Sequence, residues 1–160
     1  MGNEKDITYE IHPIGFVRKS EDEVGGGSGA YLEILEYYRD ALKELNKFSH
    51  VIVLWWAEDF YGNDIRNTLR TRPPYAEGNI VGVFATRAPY RPNPIAMTTC
   101  EILSIDEEKG IIQLKNIDSF DGTSVIDLKA YVPICDRVEE VDVPEWLPQE
   151  WTGWWTADSD

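Results

Sequence analysis

Between Val81 and Ile95 the chain reads Val-Gly-Val-Phe-Ala-Thr-Arg-Ala-Pro-Tyr-Arg-Pro-Asn-Pro-Ile, and no helix can pass through it. Pro89, Pro92 and Pro94 each fix φ near about −65° and lack the N–H that a helix needs. Each also drives the residue before it, here Ala88, Arg91 and Asn93, towards extended backbone. Any fold must therefore accommodate a stiff, non-helical track. It is preceded by Val81, Val83 and Phe84, whose β-branched and aromatic content predicts a short buried strand. On the track, Arg87 and Arg91 are planar, fork-shaped donors suited to a carboxylate or phosphate, with Tyr90 between them as a flat surface. The alternative is a proline-stiffened surface loop with two solvated arginines.

The remaining patterns are mostly β. Residues 95–105 and 110–117 are two β-rich runs joined by Asp106-Glu-Glu-Lys-Gly, a hairpin turn with glycine at its end. Val51-Ile-Val-Leu-Trp-Trp56, within Ser49 to Ala57, predicts a central strand buried on both faces. Apolar residues at 7, 9, 11, 14 and 16 predict a first strand broken near Pro13. From Leu32 to Phe48, Leu35, Tyr38, Leu42 and Leu45 share one helical face, predicting one amphipathic helix. The stretch from 59 to 78 predicts a long connection with a helical turn near Ile65 to Leu69. Without a repeated strand–helix–strand pattern, the parallel α/β architecture is the weaker alternative. His50 is expected to be structural.

Length and charge narrow the classes. A chain of 160 residues fits one domain with a core of its own. No apolar run reaches the length of a membrane span, and the start lacks the order of a secretory signal. Cys100 and Cys135, with no Cys or His cluster at ligand spacing, suggest neither a disulfide framework nor a metal site, so the expected compartment is the cytoplasm. The net charge of −14 argues against indiscriminate nucleic-acid binding. Yet Arg66, Arg70, Arg72, Arg87 and Arg91 face a single acid, Glu77, between residues 66 and 91. Such a basic island on an acidic body can attract an anionic ligand locally, although solvated arginines would look the same. Residues 137–160 form an acidic tail with four of the six tryptophans, expected to dock on the body or on a partner subunit.

Two further stretches invite chemistry. The loop Lys19 to Ala30 contains Gly25, Gly27 and Ala30 at the spacing of a dinucleotide fingerprint, but Glu21 to Glu23 separate it from any strand, so a flexible lid is expected. Asp121-Gly-Thr-Ser124 supplies an acceptor carboxylate, a tight turn and two hydroxyls. Asp127, Lys129 and Tyr131 then alternate on one strand face, which reads either as a catalytic trio or as a paired Asp–Lys surface ladder.

Phe84-Ala-Thr-Arg-Ala-Pro-Tyr-Arg-Pro-Asn-Pro-Ile95, Asp121-Gly-Thr-Ser124 and Asp127-Leu-Lys-Ala-Tyr-Val-Pro133 together resemble the TsaA-like (TrmO) family. The resemblance runs from about Ile14 to Asp136. It implies a β-barrel that binds S-adenosylmethionine and transfers its methyl group to N6 of a threonylcarbamoyl-modified adenosine beside the tRNA anticodon. The implied architecture is a mainly β, barrel-like domain over residues 1–136, with one amphipathic helix packed outside and an irregular tail over 137–160. The implied assembly is a homodimer without a metal.

Cofactor contacts are expected from Arg87, Arg91, Asn93, Met97, Asp121, Gly122, Thr123 and Ser124. Catalytic candidates are Asp121, Asp127, Lys129 and Tyr131, and tRNA contacts are expected from Arg66, Arg70, Arg72 and Tyr90. The chain departs from the family pattern in four places. Its Gly-rich loop lacks the usual Pro-Arg-Gln element, Ala57 and Glu58 stand where a His is usual, Ala96 replaces Gly, and Ser124 replaces Pro. About 25 residues follow the resemblance where longer members carry a second domain, so an RNA grip from such a domain is not expected. Methyl transfer to a small molecule or protein, or cofactor binding without catalysis, are the competing functions.

Overall fold

The computed structural model describes residues 7–20, 29–57 and 62–154. Six antiparallel strands close into a barrel in the order β1-β2-β7-β6-β3-β8. These are β1 (Gly15–Lys19), β2 (Ala30–Ile34), β3 (His50–Trp56), β6 (Ile95–Asp106), β7 (Ile111–Leu114) and β8 (Ser124–Ala130). A small ribbon of β4 (Arg70–Thr71) and β5 (Val81–Gly82) stands apart from the barrel.

The expected central strand is β3, which is hydrogen-bonded to β6 on one side and β8 on the other. Its neighbours cover its edges, while Val51 and Val53 point into the core and Ile52 is buried on the other face, which is why its sequence begins as a continuous apolar run. Val17, Leu32, Ile34, Val51, Val53, Cys100, Ile112, Leu114 and Val125 fill the barrel, each no more than 1% exposed. Outward residues of β1 and β2 pair across the strands, as Arg18 Nε does with Glu33 Oε2 at 3.2 Å. The two strands approach closely at Gly15, where a Cβ would lie 2.4 Å from the Glu33 carbonyl oxygen. The β6–β7 hairpin turns where Asp106 accepts the Lys109 backbone N–H at 3.0 Å. Gly110 closes it with φ 71°, a conformation open to glycine at little cost.

Several elements differ in detail from the sequence expectation. The helix expected over 32–48 is shorter and tighter. Leu32 belongs to β2, and 3₁₀ turns at Glu36–Leu42 and Leu45–Lys47 follow, separated near Glu44 at φ 71°. Pairing of β2 with both β1 and β7 overrides the helical periodicity at its start. Leu42 is buried, and Tyr38 and Leu45 still pack on the barrel core, as the apolar face predicts. The first strand begins only at Gly15, because Ile7, Tyr9 and Ile11 are 63%, 84% and 51% exposed and bury nothing by their alternation. Of the buried strand expected before the proline track, only Val81–Gly82 pairs, and Val83–Ala85 is a 3₁₀ turn that leaves Phe84 exposed. The Gly-rich loop expected as a lid lies outside the described residues. Within the tail, a 3₁₀ turn at Gln149–Thr152 sets the Trp151 ring 4.8 Å from that of Tyr75, with Trp146 stacked on Tyr75 at 6.3 Å.

Candidate functional site

The proline track runs past the end of the β3–β6 ladder, which it extends by one bond from the Ala57 N–H to the Pro94 carbonyl at 2.8 Å. Its shape is held by side chains. Arg91 folds back so that Nη2 donates to the carbonyls of Val83 and Thr86 at 2.8 and 2.9 Å. The Thr86 hydroxyl donates to the Val83 carbonyl at 2.8 Å and accepts the Ala88 N–H at 3.2 Å. Arg66 Nε donates to the Pro92 carbonyl at 2.9 Å, Arg66 Nη2 reaches Asn93 Oδ1 at 3.4 Å, and the Arg66 guanidinium lies over the Trp56 ring. Tyr90 is tied at its hydroxyl to Thr71 at 3.3 Å. Arg87 has no hydrogen bond or ion pair among the described residues and is exposed at the lip of a cleft.

That cleft has a volume of about 630 Å³, within the range of small-molecule sites. Its walls are Arg87, Pro89 and Arg91 from the track, Ile95 to Thr99 from β6, Trp55 from β3, Lys19 from β1, and Asp118, Ser119 and Phe120. Trp55 Nε1 donates to Thr98 Oγ1 at 3.1 Å, which fixes the indole edge. The Lys19 ammonium donates to the Ile117 carbonyl at 3.1 Å, beside Asp118. Ser119 is 7% exposed, and its hydroxyl oxygen is buried with no hydrogen-bond partner among the described residues. A buried hydroxyl left unpaired costs free energy.

The Asp-Gly turn stands one layer behind this wall. Asp121 Oδ1 accepts the Lys19 backbone N–H at 2.9 Å, the Gly122 N–H donates to the Val17 carbonyl, and the Val17 N–H donates to the Thr123 carbonyl. Thr123 is fully buried, and its hydroxyl donates to the Phe120 carbonyl at 2.8 Å. Gly122 has φ 80°, the positive value that a type II turn requires at this position. These bonds press residues 117–120 against the end of β1 and so present Asp118, Ser119 and Phe120 to the cleft. Ser124 begins β8 opposite Phe16.

The structure thus brings Arg87, Arg91 and Met97 together in the cleft, with Asp121, Gly122 and Thr123 behind them. It does not bring Asp127, Lys129 and Tyr131 there. Val125 and Leu128 turn inward on either side of a register shift, so Asp127 and Lys129 face out and form an ion pair of 2.8 Å. The hydrogen bond that the Lys129 ammonium donates to Asp127 raises the Lys129 pKa. Asp127 borders a separate apolar hollow beneath the 3₁₀ turns, and the Tyr131 ring lies 6.1 Å from that of His50. Arg70 and Arg72 are exposed on and beside the β4–β5 ribbon. Sequence reasoning missed Lys19, Trp55, Thr98, Asp118 and Ser119. Their only local signal was the nearness of Asp118 and Ser119 to the Asp-Gly turn.

Residues 21–137 match the family described as the tRNA-methyltransferase O N-terminal domain. The chain belongs to the TrmO family. Among its relatives, an S-adenosyl-L-methionine-binding protein of Archaeoglobus fulgidus is 35% identical over 82% of this chain and 96% of its own length. The tRNA (adenine(37)-N6)-methyltransferase of Escherichia coli is 36% identical over 83% of this chain, which spans 62% of that relative. The crystal structure of TrmO from Pseudomonas aeruginosa superposes with a TM-score of 0.63 at 28% identity, covering 85% of this chain and 62% of that one. The barrel expected of a TrmO domain is the architecture found. Among the described residues, no helix is long and apolar enough to cross a membrane, and no group of three or more His, Cys, Asp or Glu is placed to hold a metal ion.

Proposed function

We propose that this chain transfers the methyl group of S-adenosylmethionine to N6 of an adenine in tRNA, most specifically the threonylcarbamoyl-modified adenosine beside the anticodon. The cleft carries this reading. Its cations Lys19, Arg87 and Arg91 suit the carboxylate of the cofactor's amino-acid end. Trp55, Met97 and Phe120 offer apolar surface around the sulfonium and to the adenine part. Bound there, S-adenosylmethionine supplies an electrophilic methyl carbon whose bond to sulfur breaks as the amine lone pair attacks. The remaining work belongs to the protein.

An exocyclic adenine amine is a weak nucleophile, so the stiff track and the pinned 117–120 segment act by holding both partners in line. Such positioning can supply several kcal/mol or more of the barrier, up to about 7–11 kcal/mol in the best cases. Asp118 is the carboxylate lining the cleft, and its Oδ atoms take the proton that the amine releases. Arg70 and Arg72, with Arg66 beside the track, form the phosphate-facing side. A homodimer working in the cytoplasm belongs to the same reading, as the family resemblance implies.

The net charge of −14 favours a second reading, methyl transfer to a small acceptor. Mass spectrometry of nucleosides from tRNA incubated with the protein and methyl-labelled cofactor separates the two. The label is expected on N6 of the threonylcarbamoyl-modified adenosine. Unlabelled tRNA, with label released onto a small molecule, would replace this proposal by the second.

A further inference from the structure

Arg87 and Pro89 line two hollows at once, the cleft described above and a larger groove of about 820 Å³ on the other side of the track. Four aromatic rings line the groove: Tyr75, Phe84, Tyr90 and Trp151. Their positions are fixed from below. Phe84 sits on a 3₁₀ turn anchored by buried Val83 and Thr86, Tyr90 is tied to Thr71, and Tyr75 and Trp151 meet edge to face at 4.8 Å. Even so, Phe84 is 80% exposed and Trp151 54% exposed. Rigid rings left in water beside a cleft mark a binding surface for something flat and apolar-faced.

The charges around the groove say more about its occupant. Among the described residues no carboxylate lines it, and the single ionised lining group is Arg87. Arg70 and Arg72 lead in sequence into Pro73, whereas the exposed acids Asp142, Glu145 and Glu150 belong to the tail segment that supplies Val143, Leu147 and Trp151. A ligand with an anionic backbone and flat bases fits that polarity, its phosphates towards the arginines and its bases on the rings. A duplex would carry a second line of phosphates past the acids of the tail.

We propose that this groove is a stacking platform for nucleobases of a single-stranded RNA loop, with the base nearest Arg87 and Pro89 directed across that shared wall into the cleft. Loop bases splayed onto aromatic rings are a general mode of single-strand recognition. The direction across the wall rests on the methyl-transfer reading, while the stacking itself does not.

The test measures binding of a fluorescent RNA stem–loop to the full chain by anisotropy, with Phe84→Ala and Trp151→Ala beside the parent. Each variant is expected to weaken binding about tenfold, from the loss of one stacked base. S-adenosylmethionine affinity should stay at the parental value in both variants, because neither ring lines the cleft, and thermal stability should stay parental in Phe84→Ala and fall slightly in Trp151→Ala, which loses its edge-to-face contact with Tyr75. A fully paired RNA of the same length should bind the parent more weakly than the loop. Parental RNA affinity in both variants overturns the platform, and if the parent still methylates tRNA, the functional reading survives that loss. Weakened variants of a parent that methylates no RNA would support the platform and overturn the methyl-transfer reading. A change from dimer to monomer on sedimentation of Phe84→Ala would make the groove a self-association face, overturning the platform.

Discussion

Arg87 and Arg91 are four residues apart on one track and border one cleft, yet their alanine variants should fail in different ways. Arg91 Nη2 donates two hydrogen bonds, of 2.8 and 2.9 Å, to the carbonyls that begin and end the turn at Val83 to Thr86. Bonds from a charged donor are worth about 1.5–3 kcal/mol each when well buried. Here the side chain is half-buried and one nitrogen serves both acceptors, so Arg91→Ala should cost about 2 kcal/mol in total. At about 2–4 °C per kcal/mol for a domain of this size, the melting temperature should fall by about 4–8 °C. Arg91→Lys should lie between, since an ammonium can keep one of the two bonds.

Arg87 makes no such bond among the described residues, and its removal should change stability by less than about 0.5 kcal/mol. Its loss should appear instead in S-adenosylmethionine affinity, weakened about ten- to a hundredfold when a charge-assisted pair disappears. Scanning fluorimetry and titration calorimetry on the same three preparations read both quantities. An Arg91→Ala protein that melts within about 1 °C of the parent, or an Arg87→Ala protein that loses stability but not affinity, would refute this division of labour.

Other substitutions follow from single observations. Ser119→Ala should raise the melting temperature of the free protein slightly, because it removes a buried hydroxyl that has no partner among the described residues; a stability loss on differential scanning calorimetry would contradict this. Gly15→Ala should destabilise by at least about 2 kcal/mol in urea titrations, since its Cβ would meet backbone 2.4 Å away. Burial pushes the Cys100 thiol from 9.0 up to about 12, so a thiol reagent at pH 8 should modify exposed Cys135 alone until the protein is denatured. Because that folded pKa is raised, Cys100 contributes stability that is complete below pH 9.0 and is lost as the pH rises towards about 12; alkaline unfolding of Cys100→Ala should show a shallower decline over that window. Asp127→Asn and Lys129→Met break an ion pair about half exposed and should each cost less than about 1 kcal/mol with methyl transfer retained; loss of turnover at parental cofactor affinity would return those residues to the chemistry.

What could be read in the sequence was whatever depends on local backbone chemistry. Pro89, Pro92 and Pro94 stiffen their own neighbourhood in any context, so the track and its arginines could be found without a fold. The run from Val51 to Trp56 announced a strand with partners on both sides, and β3 has them. The helix over 32–48 failed at its start because Leu32 and Ile34, two residues apart, follow a strand alternation rather than the stripe of Leu35, Tyr38, Leu42 and Leu45, and pairing with β1 and β7 holds them in it. The cleft was legible on one wall alone. Trp55 and Thr98 meet because β3 and β6 pair in one register, and Lys19 reaches Ile117 across 98 residues of chain. The placing of Asp127 and Lys129 outside the cleft was not legible for a related reason: their alternation could be read, but the register shift that sets which side faces the cleft is a property of the closed barrel.

That closure has a consequence for the order in which the molecule becomes competent. The barrel is sealed between β1 and β8 by a short register, Gly15 with Val125 and Phe16 with Ser124, extended by the bonds around Asp121 to Thr123. It joins segments 102 residues apart in the chain, so it carries a large loop-closure cost and should form late in folding. The cleft straddles this seam, taking Lys19 from one lip and Asp118 to Phe120 from the other. A ligand gripping both lips would act as a rivet, and amide exchange at Val17, Lys19 and Gly122 should slow on its binding more than exchange deep in β3, making the seam a gauge of occupancy.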